Sequence, residues 1–245
     1  MFKDNDYPVS EHYIIFALLM MSAGIVGAYT FNLRGGVFCN AQTANIVLMA
    51  IEFGKGEWMQ GLYFLIPFGA YILGAIIAEL LNLSLKDIGI FKWTTYFIAI
   101  EMVTILVIGF LPLTLPDQIV QVMINFIASM QFTSFKRAEG IPMATTFCTN
   151  HIRQVGIAIA TAVHERKLAP LKRGLRHFLM IASFFVGGLT LTLLAKPLEE
   201  KSIWLSLIPL AIVLILLIYG DIAEHRRMRA KSDTAIENDV VAETK

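Results

Sequence analysis

The sequence predicts an all-α polytopic membrane helix bundle with six full spans and two half-helices. Of its 245 residues, 56% are hydrophobic and 16% are charged, and the mean hydropathy is +0.66. Soluble domains carry about 25% charged residues, so this deficit indicates that the chain folds in lipid. The apolar residues also form stretches of the length that a helix needs to cross the roughly 30 Å hydrocarbon core.

Six apolar stretches are long enough to be full spans, and two others are interrupted by polar residues near their starts. The six spans are predicted at 13–31, 62–81, 93–113, 118–135, 178–195 and 203–219. The interrupted stretches are 37–51, which is too short to cross upright, and 142–163, which is long enough. An eight-span alternative therefore stays open. The predicted regions are a cytoplasmic N-terminus at 1–12, a first membrane repeat at 13–113, a second at 118–220 and a polar cytoplasmic tail at 221–245.

The distribution of Lys and Arg favours six spans over eight. If both interrupted stretches dip into the membrane and return, fifteen of these bases lie inside and four lie outside. With eight spans the counts become twelve inside and seven outside. Cytoplasmic loops collect Lys and Arg, so the first arrangement is preferred. Both arrangements place the two termini in the cytoplasm, with the basic loop 164–177 against anionic lipid.

The two halves of the chain have the same order of elements, which predicts an internal repeat. Each half has one span, then an interrupted stretch, then two spans. Placing Thr43 over Thr149 also brings Ile46 onto Ile152. With three full spans per half, the second half inserts upside down. Many secondary transporters have this inverted repeat, and their broken helices meet near the midplane to form the binding site.

Three segments carry a resemblance to a known family. They are "SAGIVGAYTF", "GGVFCNAQTANIV" and "MQFTSFKRAEGIPMATTFCTNHI", and they resemble the YoaK family of bacterial inner-membrane proteins, which has no settled biochemical function. The resemblance covers most of residues 13–220. It implies a membrane protein of unknown substrate, without catalysis.

The chain departs from the YoaK pattern at several polar positions. The family's first span typically has an Ala-Gly pair followed by an Asp, and Gly27 stands at the Asp position here. Of the two Thr-Gly-Asn motifs, the first keeps Thr43 and Asn45, and the second keeps only Thr149. Of the Gln-Asn pair in the second half, Gln131 remains. The departures leave the expected fold unchanged but alter any polar site of the family.

The two interrupted stretches are predicted to be the two halves of one site. Their polar residues could cap the half-helices that start beside them, and capping alone is the alternative. Two half-helix N-termini that face each other would favour an anion or a carboxylate. His151 could titrate, or be a hydrogen-bonded neighbour. The substrate-binding candidates are Thr43, Asn45, Thr149, Asn150 and His151, with Asn125 and Gln131 from a neighbouring span.

Glu101 is the predicted coupling residue. It lies eight residues inside the span 93–113, which is about 12 Å deep at 1.5 Å per residue. A carboxylate at that depth is costly, so it is usually paired or functional. Arg153 is its predicted partner. The alternative is that Arg153 reaches the interface and Glu101 is held protonated. For Glu79, near the end of its span, headgroup contact is a sufficient explanation.

The sequence predicts transport rather than catalysis. It has no nucleophile–base pair, HExxH motif or phosphate loop, so we expect no enzyme, no cofactor and no metal site. The net charge of +1 gives no reason to expect nucleic acid as a partner. We expect an inner-membrane transporter or exporter of an anionic or zwitterionic metabolite, in contact with membrane lipids. The alternatives are a channel, which needs a continuous polar pore, and a non-transporting scaffold or sensor.

Overall fold

The computed structural model describes residues 7–84 and 87–243, without the side chains of 87–88 and 230–243. Lys3, Lys86 and Lys245, which enter the predicted charge count, lie outside the described residues. The α-helices are α1 (Tyr13–Leu33), α2 (Gln42–Gly54), α3 (Trp58–Tyr63), α4 (Leu65–Ser84), α5 (Trp93–Ile108), α6 (Asp117–Ser134), α7 (Thr149–Glu165), α8 (Ala169–Leu198) and α9 (Leu207–Glu243). Short 3-10 helices cover Val9–Glu11 and Glu199–Ser206. The strands are β1 (Asp87–Ile88), β2 (Phe91–Lys92), β3 (Arg137–Ala138) and β4 (Ile141–Pro142), which form two small antiparallel hairpins.

The all-α prediction is confirmed, and the helices have the apolar character of a membrane protein. In the described part of the chain, three helical segments are long and apolar enough to cross a membrane. They are Tyr13–Leu33, Trp58–Ser84 and Ala169–Arg229, the last of which contains α8 and α9. Helix α5 is a shorter apolar helix. Helix α6 carries buried Gln121, Asn125 and Gln131, so hydrogen bonds as well as apolar packing hold it in the bundle.

Both predicted interruptions are confirmed. Helix α1 ends at Leu33, and α2 begins only at Gln42. In this gap Gly35 and Gly36 have φ angles of +79° and +70°, which a right-handed helix cannot contain and which glycine adopts without steric cost. The second gap, between α6 and α7, contains the β3–β4 hairpin, whose turn has Gly140 at a φ of +76°. The half-helices α2 and α7 therefore start beside Thr43 and at Thr149, as predicted.

The first helix of each half packs on the third element of the other half. Helix α1 makes its most extensive contacts with α8, and α6 makes its most extensive contacts with α4. Glycines allow both approaches, since a Cβ on Gly24 would overlap the backbone carbonyl of Phe184. Likewise, a Cβ on Gly74 would overlap the carbonyl of Phe126. The two helix pairs thus meet backbone to backbone, as small residues permit in membrane bundles.

The N-terminal segment, both hairpins and the start of the tail lie on one face, which we call the near face. The Glu139 N–H donates to the Glu11 carbonyl at 2.6 Å. Arg176, near the start of α8, forms an ion pair with Glu139 at 2.7 Å. From the other hairpin, the Lys92 N–H donates to Asp221 Oδ2 at 3.0 Å. The six-span prediction groups these same loops on one side of the membrane.

At the opposite face, which we call the far face, Arg34 joins α1 to its neighbours. This side chain is fully buried and donates to the carbonyls of Leu111 and Pro112 at 2.6 and 3.1 Å. It therefore fixes the end of α1 to the connection between α5 and α6. Trp204 donates to the Leu106 carbonyl at 3.1 Å, so the 3-10 helix Glu199–Ser206 lies at the same face.

Candidate functional site

The chain between α1 and α2 descends from the far face to the middle of the bundle. Arg34 starts this segment at the far face, whereas Asn40 Nδ2 donates to the carbonyl of Ala23, midway along α1, at 3.1 Å. Gln42, the first residue of α2, donates to Asn125 near the middle of α6. Helix α2 then runs outward, and its Phe53 ring contacts that of Trp58 of α3 at 5.4 Å between centroids. The first interrupted segment therefore reaches the middle of the bundle from the far face.

Side chains of α6 and α2 satisfy the irregular backbone of this first segment. Gln121 Nε2 donates to the Arg34 carbonyl at 2.9 Å, and Asn45 Nδ2 donates to the Phe38 carbonyl at 3.0 Å. Gln42 also donates to the Cys39 carbonyl at 3.1 Å. Inside a membrane such backbone groups need protein partners, because lipid offers none.

The second interrupted segment, residues 143–148, lies against the near-face half of α6. Gln131 Nε2 donates to the Thr145 carbonyl at 3.1 Å. Close to this contact, the ring centroids of Phe132, one residue after Gln131, and Phe147, two residues after Thr145, lie 5.1 Å apart. Helix α7 then packs along the first half of α8, where a Cβ on Gly174 would touch Ala158 at 2.8 Å.

The two segments meet at a closed cavity between α1, α5 and α6. Its free volume is about 10 Å³, close to the room that one water molecule needs. Each lining residue is buried. The polar lining residues are Ser22 of α1, Asn40 of the first segment, Glu101 of α5, Gln131 of α6 and Thr146 of the second segment.

Three of these five side chains have an unsatisfied polar atom. Ser22 Oγ, Glu101 Oε2 and Thr146 Oγ1 have no hydrogen-bond partner among the residues that the structure describes. Asn40 and Gln131 use their amide nitrogens on backbone carbonyls. Buried polar atoms are nearly always paired, so an unpaired set that converges on one cavity indicates a place for a bound species.

The two interrupted segments reach the closed cavity through Asn40 and Thr146, each three residues before the predicted threonine. Thr43 and Thr149 are exposed, and neither lines the closed cavity. The capping interpretation is wrong, since the N-caps are Ala41 and Cys148 and no side chain caps either helix. The physical reason is that both segments reach their deepest point in the irregular chain before the helix starts. In the alignment of Thr43 with Thr149, the two residues that reach the cavity, Asn40 and Thr146, are themselves aligned.

Glu101 is buried as predicted, with 3% of its surface exposed, but its predicted pairing with Arg153 is wrong. Arg153 is exposed and donates to Asn150 Oδ1 at 2.9 Å. Helix α7 packs on its neighbours through His151, and a residue two positions further along a helix points to nearly the opposite side. Arg153 therefore faces away from the bundle. Glu79 forms an exposed ion pair with Lys136 at 2.6 Å.

His151 has a partner that its neighbours in the sequence do not indicate. Its Nδ1 lies 2.9 Å from Nδ1 of His177, and both rings are fully buried. His151 Nε2 faces the Ala144 carbonyl at 3.0 Å and therefore carries the proton of a neutral ring. His177 then donates from Nδ1, and its Nε2 is left without a partner among the described residues. The two histidines are 26 residues apart and share no motif, so no sequence signal links them.

An open pocket of about 640 Å³ lies on the near face, directly behind the second segment. The segment 143–147 and the end of α6 form the wall between the two spaces. Gln131 and Thr146 line the closed cavity, whereas Phe132 and Phe147 line the open pocket. The other lining residues of the pocket include Ala75, Glu79, Lys136, Pro142, Met143, Ala144 and Asn150.

Comparison with known proteins gives one match. A family described as "Protein of unknown function (DUF1275)" matches residues 15–216. This confirms the expectation of a family without an assigned activity. No curated protein and no solved structure matches the chain.

Proposed function

We propose that this chain, which belongs to the DUF1275 family of proteins of unknown function, is a multi-pass membrane transporter of a small solute. One observation carries the proposal. Both interrupted segments, one from each half, line a single closed cavity that contains a buried carboxylate. Irregular backbone at membrane depth is tolerated where it builds a site, and paired broken helices around one site are typical of secondary transporters.

The proposed topology has six spans in an inverted repeat, with both termini in the cytoplasm of a YoaK-like inner-membrane protein. The exchanged packing of α1 on α8 and of α6 on α4 supports the repeat. The grouping of both hairpins with the N-terminal segment supports six spans. Lys92, Lys136, Arg137 and Arg176 also lie in this near-face region. The positive-inside rule then assigns the near face to the cytoplasm.

The open pocket on the near face is the proposed solute vestibule. Its volume of about 640 Å³ falls within the range of about 300–1,000 Å³ that small-molecule sites occupy. The Glu79–Lys136 ion pair and Asn150 stand among apolar side chains. An acid and a base beside an apolar wall complement a zwitterion that carries an apolar group, which is one of the two solute classes expected from the sequence.

The structure fits a transporter closed toward the far face. On that side, Gln121 and Asn125 of α6 hydrogen-bond Arg34 and Gln42 at the two ends of the first segment, and the buried Arg34 side chain holds the connection between α5 and α6. On the near side, the segment 143–147 and the end of α6 separate the vestibule from the cavity. Movement of this segment would join the two spaces. Glu101 is the proposed coupling residue, because its charge state changes the cost of closing the cavity.

The alternatives explain the site less well. A channel needs a continuous polar pore, and the polar lining here narrows to a cavity of about 10 Å³. A scaffold or sensor does not require a buried carboxylate with an oxygen that lacks a hydrogen-bond partner among the described residues. We also propose that the protein is not an enzyme and that its partners are lipids and the solute, without nucleic acid.

The test is a thermal-stability screen followed by a transport assay. Purified protein is screened against zwitterionic and anionic metabolites, because a ligand that binds the folded state raises its stability by mass action. Hits are then tested for uptake into proteoliposomes. We expect saturable uptake that Phe147→Trp, inside the vestibule, inhibits and that Phe110→Trp, at the far face, leaves intact. Unsaturable ion conductance would favour the channel, and the lack of any uptake would exclude transport of the screened solutes.

A further inference from the structure

The geometry points to a sodium-ion site in the closed cavity. The ion would be held by Glu101 together with the hydroxyls of Ser22 and Thr146 and the amide oxygens of Asn40 and Gln131. A role for the ion in coupling rests on the proposed function, but binding of the ion does not.

The polar side chains that line the cavity offer oxygen atoms as ligands for an ion. They are one carboxylate, two hydroxyls and two amide oxygens, contributed by three helices and both interrupted segments. Oxygen ligands suit hard cations, whereas zinc, copper and iron favour sites with nitrogen or sulfur. In the described part of the chain, no cluster of three His, Cys, Asp or Glu residues has the geometry of such a metal site.

Charge and size select a small monovalent ion. Glu101 is the one charged residue in the lining, so a single positive charge neutralises the site. A divalent ion would leave one uncompensated charge in a buried place, which is costly. The free volume of about 10 Å³, about that of one water, accommodates sodium without its hydration shell and disfavours the larger potassium ion.

The unpaired atoms favour a bound cation over a proton alone. A proton on Glu101 would neutralise the carboxylate, but Ser22 Oγ and Thr146 Oγ1 would still lack partners. A buried polar atom without a partner costs free energy comparable to a lost hydrogen bond. A cation at the centre of the cavity attracts all of these oxygens at once. Because Asn40 and Thr146 belong to different halves, the ion would also hold the two interrupted segments together.

The test is the stability of the purified full-length protein in NaCl, with KCl and choline chloride at the same ionic strength as controls. We expect a saturable rise of the melting temperature that is specific to sodium. Glu101→Gln should abolish this rise. Thr146→Val should weaken the apparent sodium affinity about tenfold, and Thr146→Ser, which keeps the hydroxyl, should restore it. Glu79→Gln, at the exposed ion pair, is the matched control and should keep the response.

The outcomes separate this inference from the proposed function. Equal responses to potassium and sodium, or a sodium response that survives in Glu101→Gln, would overturn the sodium site. If low pH stabilises the protein and sodium has no effect, the cavity binds a proton. That result would also overturn the sodium site. Circular dichroism in choline chloride checks that each variant is folded before it is scored. Sodium binding without solute uptake would count against transport alone, and uptake without a sodium response would count against the ion site alone.

Discussion

Replacing Gly74 with alanine should disrupt the packing of α4 on α6, which positions the second half of the site. An added Cβ would lie 3.2 Å from the carbonyl carbon of Phe126 and 3.2 Å from Cβ of Ser129, and closer still to the Phe126 carbonyl oxygen. These are backbone and short side-chain atoms that cannot rotate away, so the helices must separate. Gly69 lies on the same helix, where an added Cβ would meet nothing within 4 Å, and it is the matched control.

The two substitutions should change stability in opposite directions. Overpacking costs about 1–3 kcal/mol, whereas alanine is favoured over glycine in a helix by about 1 kcal/mol. With roughly 2–4 °C per kcal/mol for a chain of this size, Gly74→Ala should lower the melting temperature by several degrees. Gly69→Ala should leave it unchanged or raise it. Both are measured by thermal unfolding of purified protein. Equal effects of the two variants would refute the close approach of α4 and α6.

Three further predictions follow from the site and the topology. Glu101→Gln should abolish or uncouple any transport found in proteoliposomes, while Glu57→Gln, at an exposed position outside the cavity and the vestibule, should retain most of it, and equal losses would remove Glu101 from its proposed role. His177→Phe should destabilise the protein by about 1–3 kcal/mol, because it leaves buried His151 Nδ1 without its partner. The control His164→Phe, at an exposed position, should have little effect on thermal unfolding. In a background without Cys39 and Cys148, single cysteines at Ser84 and Arg137 should resist an impermeant thiol reagent outside intact cells, and one at Lys201 should react. The reverse pattern would contradict the proposed orientation.

The sequence predicts the helices well because their signal is local. Apolar length alone places α1, α4 and α5 within a few residues of their observed bounds. The breaks are also local, since Gly35, Gly36 and Gly140 permit the turns. The residue that lies deepest in each break is less well predicted, because it depends on the partners of the irregular chain in α1 and α6. The sequence therefore favours Thr43 over Asn40, although both lie in the same polar segment.

Long-range pairings are the part that composition and spacing do not predict. The burial of Glu101 follows from its depth in an apolar span, but its surroundings depend on which face of α7 packs inward. That face carries His151, so Arg153 points outward, and the expected ion pair does not form. The His151–His177 contact depends likewise on the register of α7 against α8. The arginines and lysines around His177 in the sequence indicate a basic loop, whereas the structure places this residue in α8.

The central claim is that the two interrupted segments meet at one cavity, and cysteine cross-linking tests it most directly. Asn40→Cys and Thr146→Cys are combined in a background without the two native cysteines, with a protease site inserted at the exposed turn 89–90. A short bifunctional thiol reagent should join the two fragments after cleavage. The control pair combines Asn40→Cys with Gly156→Cys, where an added Cβ would meet nothing within 4 Å. The account predicts that the first pair keeps the fragments joined and the control pair does not. Separation of the fragments in the first pair, in protein that remains folded, would contradict it.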